Sequence, residues 1–383
     1  MAGVERMLAG KKVCVCAGSG GVGKTTTAAA IACGMAARGK KVAVLTIDPA
    51  KRLADSLGLP ELGNVERQVD PALFEAEGID LAGGELWAMQ LDAKATFDDV
   101  VAKHAPDAET RDQILENRIY KQISNAVAGS QEGMAMEKIF EIPPEDRYDL
   151  LVLDTPPSRN ALDFLEAPKR LTQFIEGRSL QVFLRPTGFG MKVFGRGSAM
   201  GLSVLKRITG VDLLQDIAEF FQAFSGMVGG FRERARRVNE LLADEQTSFL
   251  VICGPQDVPV AEAVYFHRKL VEAKLPFGGV IVNKVHYASE EAGSKSLGRD
   301  LGKALGDEDL AARVAANFAD YQALAARDTE NIARLTREMN ARRVIRVPYL
   351  DEDVHDLGGL AEINRYLFAT ENEREALASG AEG

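Results

Sequence analysis

The chain has 383 residues, 56 Asp and Glu against 46 Lys and Arg, a net charge of −10, and 46% hydrophobic residues. That apolar content supplies a sizeable core and excludes a disordered chain, while the acidic balance disfavours general attraction to nucleic acid or anionic lipid. No nucleic-acid partner is expected.

A strand-like run begins within about a dozen residues of Met1, which leaves no room for a secretory signal. No stretch approaches the roughly 18 uninterrupted apolar residues of a membrane span. A cytoplasmic protein is therefore expected. Cys14, Cys16, Cys33 and Cys253 contain no C-x-x-C pair, so neither a zinc site nor a disulfide framework is indicated. Cys14 and Cys16 alternate with valines, as small buried strand residues do. His104, His267, His286 and His355 lack ligand-like spacing and read as structural or solvated.

In chain order, KKVCVCAG (11–18) reads as a strand and TTTAAAIACGMAARG (25–39) as a helix, followed by strands KVAVLTID (41–48) and ELWAMQLD (85–92). After a long interval comes YDLLVLDT (148–155), and after a second one SFLVICG (248–254). The helical EAVYFHRKLVEAK (262–274) precedes the strand GGVIVNK (278–284). The long helical stretch 309–343 leads to RVIRVPYL (343–350). Continuous Val/Ile/Leu runs describe strands covered on both faces, and their alternation with helices predicts an α/β fold with a doubly wound, mostly parallel sheet. The two intervals are too long for simple crossovers. We therefore expect a discontinuous nucleotide-binding domain (1–92, 148–158, 248–370), an inserted helical subdomain (93–147, 159–247) and a frayed polar tail (371–383).

Gly18-Ser19-Gly20-Gly21-Val22-Gly23-Lys24-Thr25 fits G-x-x-x-x-G-K-[ST] between a strand and a helix, the pattern of a phosphate loop. Glycines let backbone N–H groups turn toward phosphate oxygens, and the helix N-terminus, with Thr26 in its first turn, adds amides and a favourable dipole. In such a loop Lys24 places its ammonium on the β- and γ-phosphates and Thr25 gives its hydroxyl to Mg²⁺. ATP and Mg²⁺ are the cofactors this predicts. Gly18, Gly20 and Gly23 also satisfy the dinucleotide fingerprint G-x-G-x-x-G, with Asp48 as its ribose acid. Lys24-Thr25 argues against that reading, because a dinucleotide site needs neither. Asp154, ending YDLLVLD, fits the acid that holds Mg²⁺.

The runs SGGVGKTTTAA, TIDPA, LDTPPSRNALDFLEAP, IVNK and VPYLDEDV, in this order, resemble the ArsA family. That family holds the arsenical-pump ATPases and the ATPases that target tail-anchored membrane proteins, within the deviant phosphate-loop class. The resemblance implies that Asp48 orients the attacking water and that Asp154, Thr155, Pro156 and Pro157 form a switch sensing the γ-phosphate. It also implies that Asn283 contacts adenine and that Pro348 and its neighbours cover the base. An alternative role for Asp48 is capping the turn before Pro49. Such ATPases work as dimers that gate an apolar client surface.

Three departures stand out. Ser19 occupies the place of the family's second lysine, so Lys51, Arg52 or a lysine-bearing paralogue in a heterodimer would have to supply its charge. The zinc C-x-x-C of eukaryotic-type targeting dimers is missing, and the cysteines lie in the nucleotide core rather than in an arsenite-binding group. The alternatives are a positioning ATPase of the MinD/ParA kind and a nucleotide-gated binding module with little turnover.

Between Gly177 and Val211 there is no acid, whereas Arg178, Arg185, Lys192, Arg196, Lys206 and Arg207 stand among Phe, Met and Gly residues. Three readings stay open: subdomain core, a groove for an apolar helix or acyl chain, and a lipid-docking helix. In the helical segment 129–142, Glu132 and Glu137 read either as a solvated face or as a link to the nucleotide switches.

Overall fold

A computed structural model describes residues 2–48, 50–118, 120–121, 130–142, 147–156, 216, 219–220, 223, 226–288, 297–350 and 352–378; elements are numbered among these. The stretch 177–211, the side chain of Glu132 and Pro157 lie outside the described residues.

All seven apolar runs form strands: β1 (Val13–Gly18), β2 (Lys41–Thr46), β4 (Glu85–Gln90), β5 (Leu150–Asp154), β6 (Thr247–Cys253), β7 (Phe277–Val285) and β8 (Val344–Pro348). An unforeseen two-residue strand, β3 (Arg67–Gln68), pairs antiparallel with β4. The sheet order is β3-β4-β2-β5-β1-β6-β7-β8, parallel apart from β3. β1, β5 and β6 are buried along their whole length. This is why they read as unbroken apolar runs: both faces lie under helices.

The helices are α1 (Gly3–Met7), α2 (Lys24–Ala36), α3 (Arg52–Ser56), α4 (Pro71–Ala76), α5 (Ala93–His104), α6 (Ala108–Glu116), α7 (Ser130–Glu141), α8 (Val228–Ala243), α9 (Asp257–Glu272), α10 (Leu297–Leu305), α11 (Glu308–Glu338), α12 (Leu357–Leu367) and α13 (Glu371–Ala378). Almost all of α2 is buried, because its alanines and Gly34 allow close approach on every side. A Cβ on Gly34 would stand 2.3 Å from the ring of Phe368, which follows α12. Ile31 of α2 joins Val42, Val152, Ile252, Ile281, Leu360 and Leu367 in one core.

The chain divides into two compact units. One comprises Met1–Gln90, Pro144–Leu162 and Leu242–Gly383; the other comprises Leu91–Pro143 and Asp163–Leu241. The second is built on helices, with a core of Val100, Val101, Ile114, Tyr120, Met134, Phe220, Met227 and Phe231. Within it Glu137 is buried against the Arg234 guanidinium, which corrects the expectation of a solvated face. Burial pushes the Glu137 carboxyl up and Arg234 opposes the shift.

Residues 371–378, expected as part of a frayed tail, form α13 instead. Thr370 and Glu373 make a reciprocal cap: Thr370 N–H donates to Glu373 Oε2 (2.6 Å) and Glu373 N–H to Thr370 Oγ1 (3.3 Å). That exchange satisfies the free amides of the first turn. Residues 379–383 lie outside the described residues.

Candidate functional site

β1 hands the chain to α2 through a turn that only glycine tolerates at two points. Gly18 lies so near β6 that a Cβ would stand 1.9 Å from the Ile252 carbonyl oxygen. Gly23 has φ +85°, and a Cβ there would stand 2.4 Å from Asn283 Nδ2. Gly21 is also left-handed, at φ +78°. Gly20 and Gly21 are exposed, Val22 is buried, and Lys24 and Thr25 are buried at the start of α2 with Thr26 half-buried beside them. The Lys24 ammonium reaches back over the loop and donates to Ser19 O at 2.9 Å. Burial lowers its pKa, while the charges of Asp154 and Asp48 pull it up. An ammonium held this way is a partly desolvated cation folded back over the glycine loop.

The acids come from the neighbouring strands. β1, β5 and β2 are adjacent and parallel, with Cys16 and Thr46 in register with Asp154, so their carboxyl ends share one edge of the sheet. In open α/β sheets that edge is where ligands bind. Asp154 is fully buried, and its Oδ2 accepts a hydrogen bond from Thr46 Oγ1 at 2.8 Å. Its Oδ1 is buried with no hydrogen-bond partner among the described residues. Burial pushes the carboxyl up to about 6, against the hydroxyls of Thr25 and Thr46 and the Lys24 charge. An orphaned carboxylate oxygen beside a threonine hydroxyl is a donor set suited to a hard divalent cation.

Asp48 follows β2 at the same edge. Its Oδ1 accepts Ala50 N–H at 3.0 Å, and its Oδ2 lies 3.8 Å from the Arg52 guanidinium. In this form of the chain Asp48 caps the turn. Arg52, and not Lys51, is the cation paired with it in the structure.

Sequence reasoning missed two groups here. The Thr46 hydroxyl donates to Asp154 and accepts Asp48 N–H at 3.2 Å, so one side chain ties both acids together. Gln90 Nε2 donates to Asp48 O at 3.1 Å from the end of β4. The only signal was a polar residue ending each apolar strand.

Ser19 is buried, and its hydroxyl has no hydrogen-bond partner among the described residues. Thr155 N–H and Oγ1 both donate to Cys16 O (3.2 and 2.9 Å), which clamps β5 to β1.

On the other side of β1, Asn283 of β7 donates through Nδ2 to Val22 O at 3.0 Å, bracing the loop from outside. Pro348 ends β8 half-buried, in register with Val285. The structure therefore brings Lys24, Thr25, Asp48, Asp154 and Asn283 to one edge, and Pro348 to the same edge two strands beyond β6. A concavity of about 860 Å³ between α9 and α11, lined by residues such as Val258, Tyr265 and Arg334, contains none of them. All four cysteines are buried, as their strand and helix patterns anticipate.

Comparison with known proteins agrees with this geometry. The profile of the ArsA ATPase family, described as anion-transporting ATPase, matches residues 11–299. ATPase GET3A of Arabidopsis thaliana is 23% identical over 73% of this chain and 69% of its own length. ATPase get3 of Aspergillus terreus is 24% identical over 71% of this chain and 73% of its own. ATPase ASNA1 homolog 2 of Paramecium tetraurelia is 25% identical over 72% and 76%. With a phosphate loop on a parallel sheet and a family match across most of its length, the chain belongs to the ArsA family and is an ATPase.

Proposed function

We propose that the chain hydrolyses Mg²⁺-bound ATP at the Gly18–Thr26 loop and that hydrolysis opens and closes a dimer gating an apolar client- or partner-binding surface. The observation that carries the reading is the buried Asp154, whose unpartnered oxygen stands at the end of β5 beside Thr25.

Thr25 and Asp154 would hold Mg²⁺, which when bound neutralises phosphate charge as it develops in the transition state. The amides of residues 20–26 and the Lys24 ammonium cradle the β- and γ-phosphates, after Lys24 exchanges Ser19 O for phosphate oxygen. Asp48 orients the attacking water once its carboxylate leaves the turn it caps; Thr46, which accepts the Asp48 backbone N–H and donates to Asp154, holds the ends of β2 and β5 together beneath it. Asn283 and Pro348 border the base. The partner is a second copy or a lysine-bearing paralogue, and the client is an apolar helix or lipid chain held by the helical unit. No helix among the described residues is long and apolar enough to cross a membrane, which fits work in the cytoplasm.

The test is the Asp48→Asn variant. It keeps the phosphate cradle, so ATP affinity stays within about threefold of wild type while single-turnover hydrolysis falls by roughly a hundredfold or more. Unchanged hydrolysis would remove Asp48 from the mechanism.

A further inference from the structure

β7 leaves its regular ladder just past Asn283. Lys284 takes φ +62°, and the register with β8 shifts between Val282 and Val285. The next residues are caught by α11. Asp328, whose side chain is wholly buried, accepts His286 N–H at Oδ2 (3.1 Å), and the same oxygen lies 2.7 Å from His286 Nδ1. A proton on Nδ1 makes that second contact a hydrogen bond, so one carboxylate oxygen fixes both the backbone and the ring of His286.

The ring so fixed lies nearly parallel to Tyr349, at 5.6 Å between centroids and 13° between planes. Tyr321 of α11 meets it edge-on at 5.3 Å. Tyr349 follows Pro348, and its N–H donates to Val285 O at 3.0 Å. The two rings differ in exposure: the His286 side chain is 16% exposed, whereas Tyr349 is 56% exposed. His286 is the inner layer of the stack and Tyr349 the outer one. Asp328 Oδ1 is buried without a hydrogen-bond partner among the described residues, the Arg327 guanidinium being 3.8 Å away.

Burying a carboxylate under these conditions costs stability that an apolar side chain of similar size would not. What the carboxylate provides in return is a fixed imidazole, three residues from Asn283 and stacked against the residue next to Pro348. We propose that Asp328 and His286 are positioning residues for the nucleotide base. Asp328 sets the imidazole, the imidazole backs Tyr349, and the open face of Tyr349 forms a preset platform for a purine. This inference rests on the reading of the loop as an ATP site and deepens it.

Because the platform touches the base and not the phosphates, its loss separates two ligands. ATP and inorganic tripolyphosphate, each with Mg²⁺, are titrated calorimetrically into wild type, His286→Ala, Tyr349→Ala, Asp328→Ala and the His286→Ala/Asp328→Ala double variant. Aromatic stacking on a base is strong enough for the His286 and Tyr349 variants to weaken ATP about tenfold. Tripolyphosphate binding should not change, and KM for ATP should rise while kcat stays within about twofold. Since Asp328 acts through His286, the double variant should bind ATP no more weakly than His286→Ala alone. Equal weakening of both ligands in His286→Ala, no weakening of either, or additive effects in the double variant would overturn the positioning role. Failure of wild type to bind ATP while it binds tripolyphosphate would instead sink the adenine-site reading on which the role depends.

Discussion

Asp154 holds a carboxyl group where water does not reach it, with one oxygen bonded to Thr46 and the other unpartnered. Burial raises its pKa from the unfolded value near 4 to about 6. Between those two values the folded chain keeps a proton that the unfolded chain has released. The contribution of this one group to nucleotide-free stability therefore falls as pH rises from about 4 through about 6 and changes no further above that. Asp154→Asn should remove this slope and raise nucleotide-free stability at pH 7.5 by on the order of 2 kcal/mol, while abolishing Mg²⁺-dependent stabilisation by ATP. Thermal melts at several pH values, with and without Mg²⁺ and ATP, check both parts. The placement of Lys24 and Thr25 at the start of α2 was legible because G-x-x-x-x-G-K-[ST] has fixed spacing between a strand and a helix, and that of Asp154 because it ends a continuous apolar strand. Thr46, Gln90 and the His286–Asp328 pair were not legible. Each is a single polar residue with a partner distant in sequence, on another strand or on α11, and such pairing leaves no local periodicity to read.

At the scale of elements, strand existence could be read because burial on both faces demands continuous apolar runs, as in β5 and β6. β3 was missed because two exposed residues carry no pattern. α13 was missed for a different reason: its composition is polar, but the Thr370 and Glu373 spacing of a capping box was present in the sequence. Arg374 adds to the cap by donating to Ala369 O at 2.7 Å, which ties α13 to the end of α12. Thr370→Ala should cost about 1 kcal/mol locally and increase amide exchange across 371–378, with little effect on the central strands. Hydrogen exchange followed by mass spectrometry reads this directly, and unchanged protection would show that α13 is held by other contacts.

For the whole molecule, the sheet places every candidate nucleotide residue at the carboxyl ends of its strands, whereas the helical unit has its own core and its own buried ion pair of Glu137 and Arg234. An isolated buried charge is costly, so loss of either partner alone would leave the other uncompensated. If nucleotide closes a dimer, the hydrolysis-deficient Asp48→Asn variant should run near twice the monomer mass of 41.4 kDa in light scattering with ATP and Mg²⁺ and dissociate when ATP is replaced by ADP. A mass independent of nucleotide would separate the ATPase from any gating by assembly. Adding a lysine-bearing paralogue distinguishes the homodimer from the heterodimer, which Ser19 leaves without a second loop lysine.

The most direct measurement is steady-state phosphate release from ATP by the wild-type chain and Lys24→Ala, each with Mg²⁺ and with Mg²⁺ chelated. A phosphate cradle that depends on one ammonium and one divalent cation predicts turnover in the wild type with Mg²⁺ alone, and a fall of roughly a hundredfold or more in the other three conditions. Phosphate release that survives both the loss of Lys24 and the removal of Mg²⁺ would contradict the account.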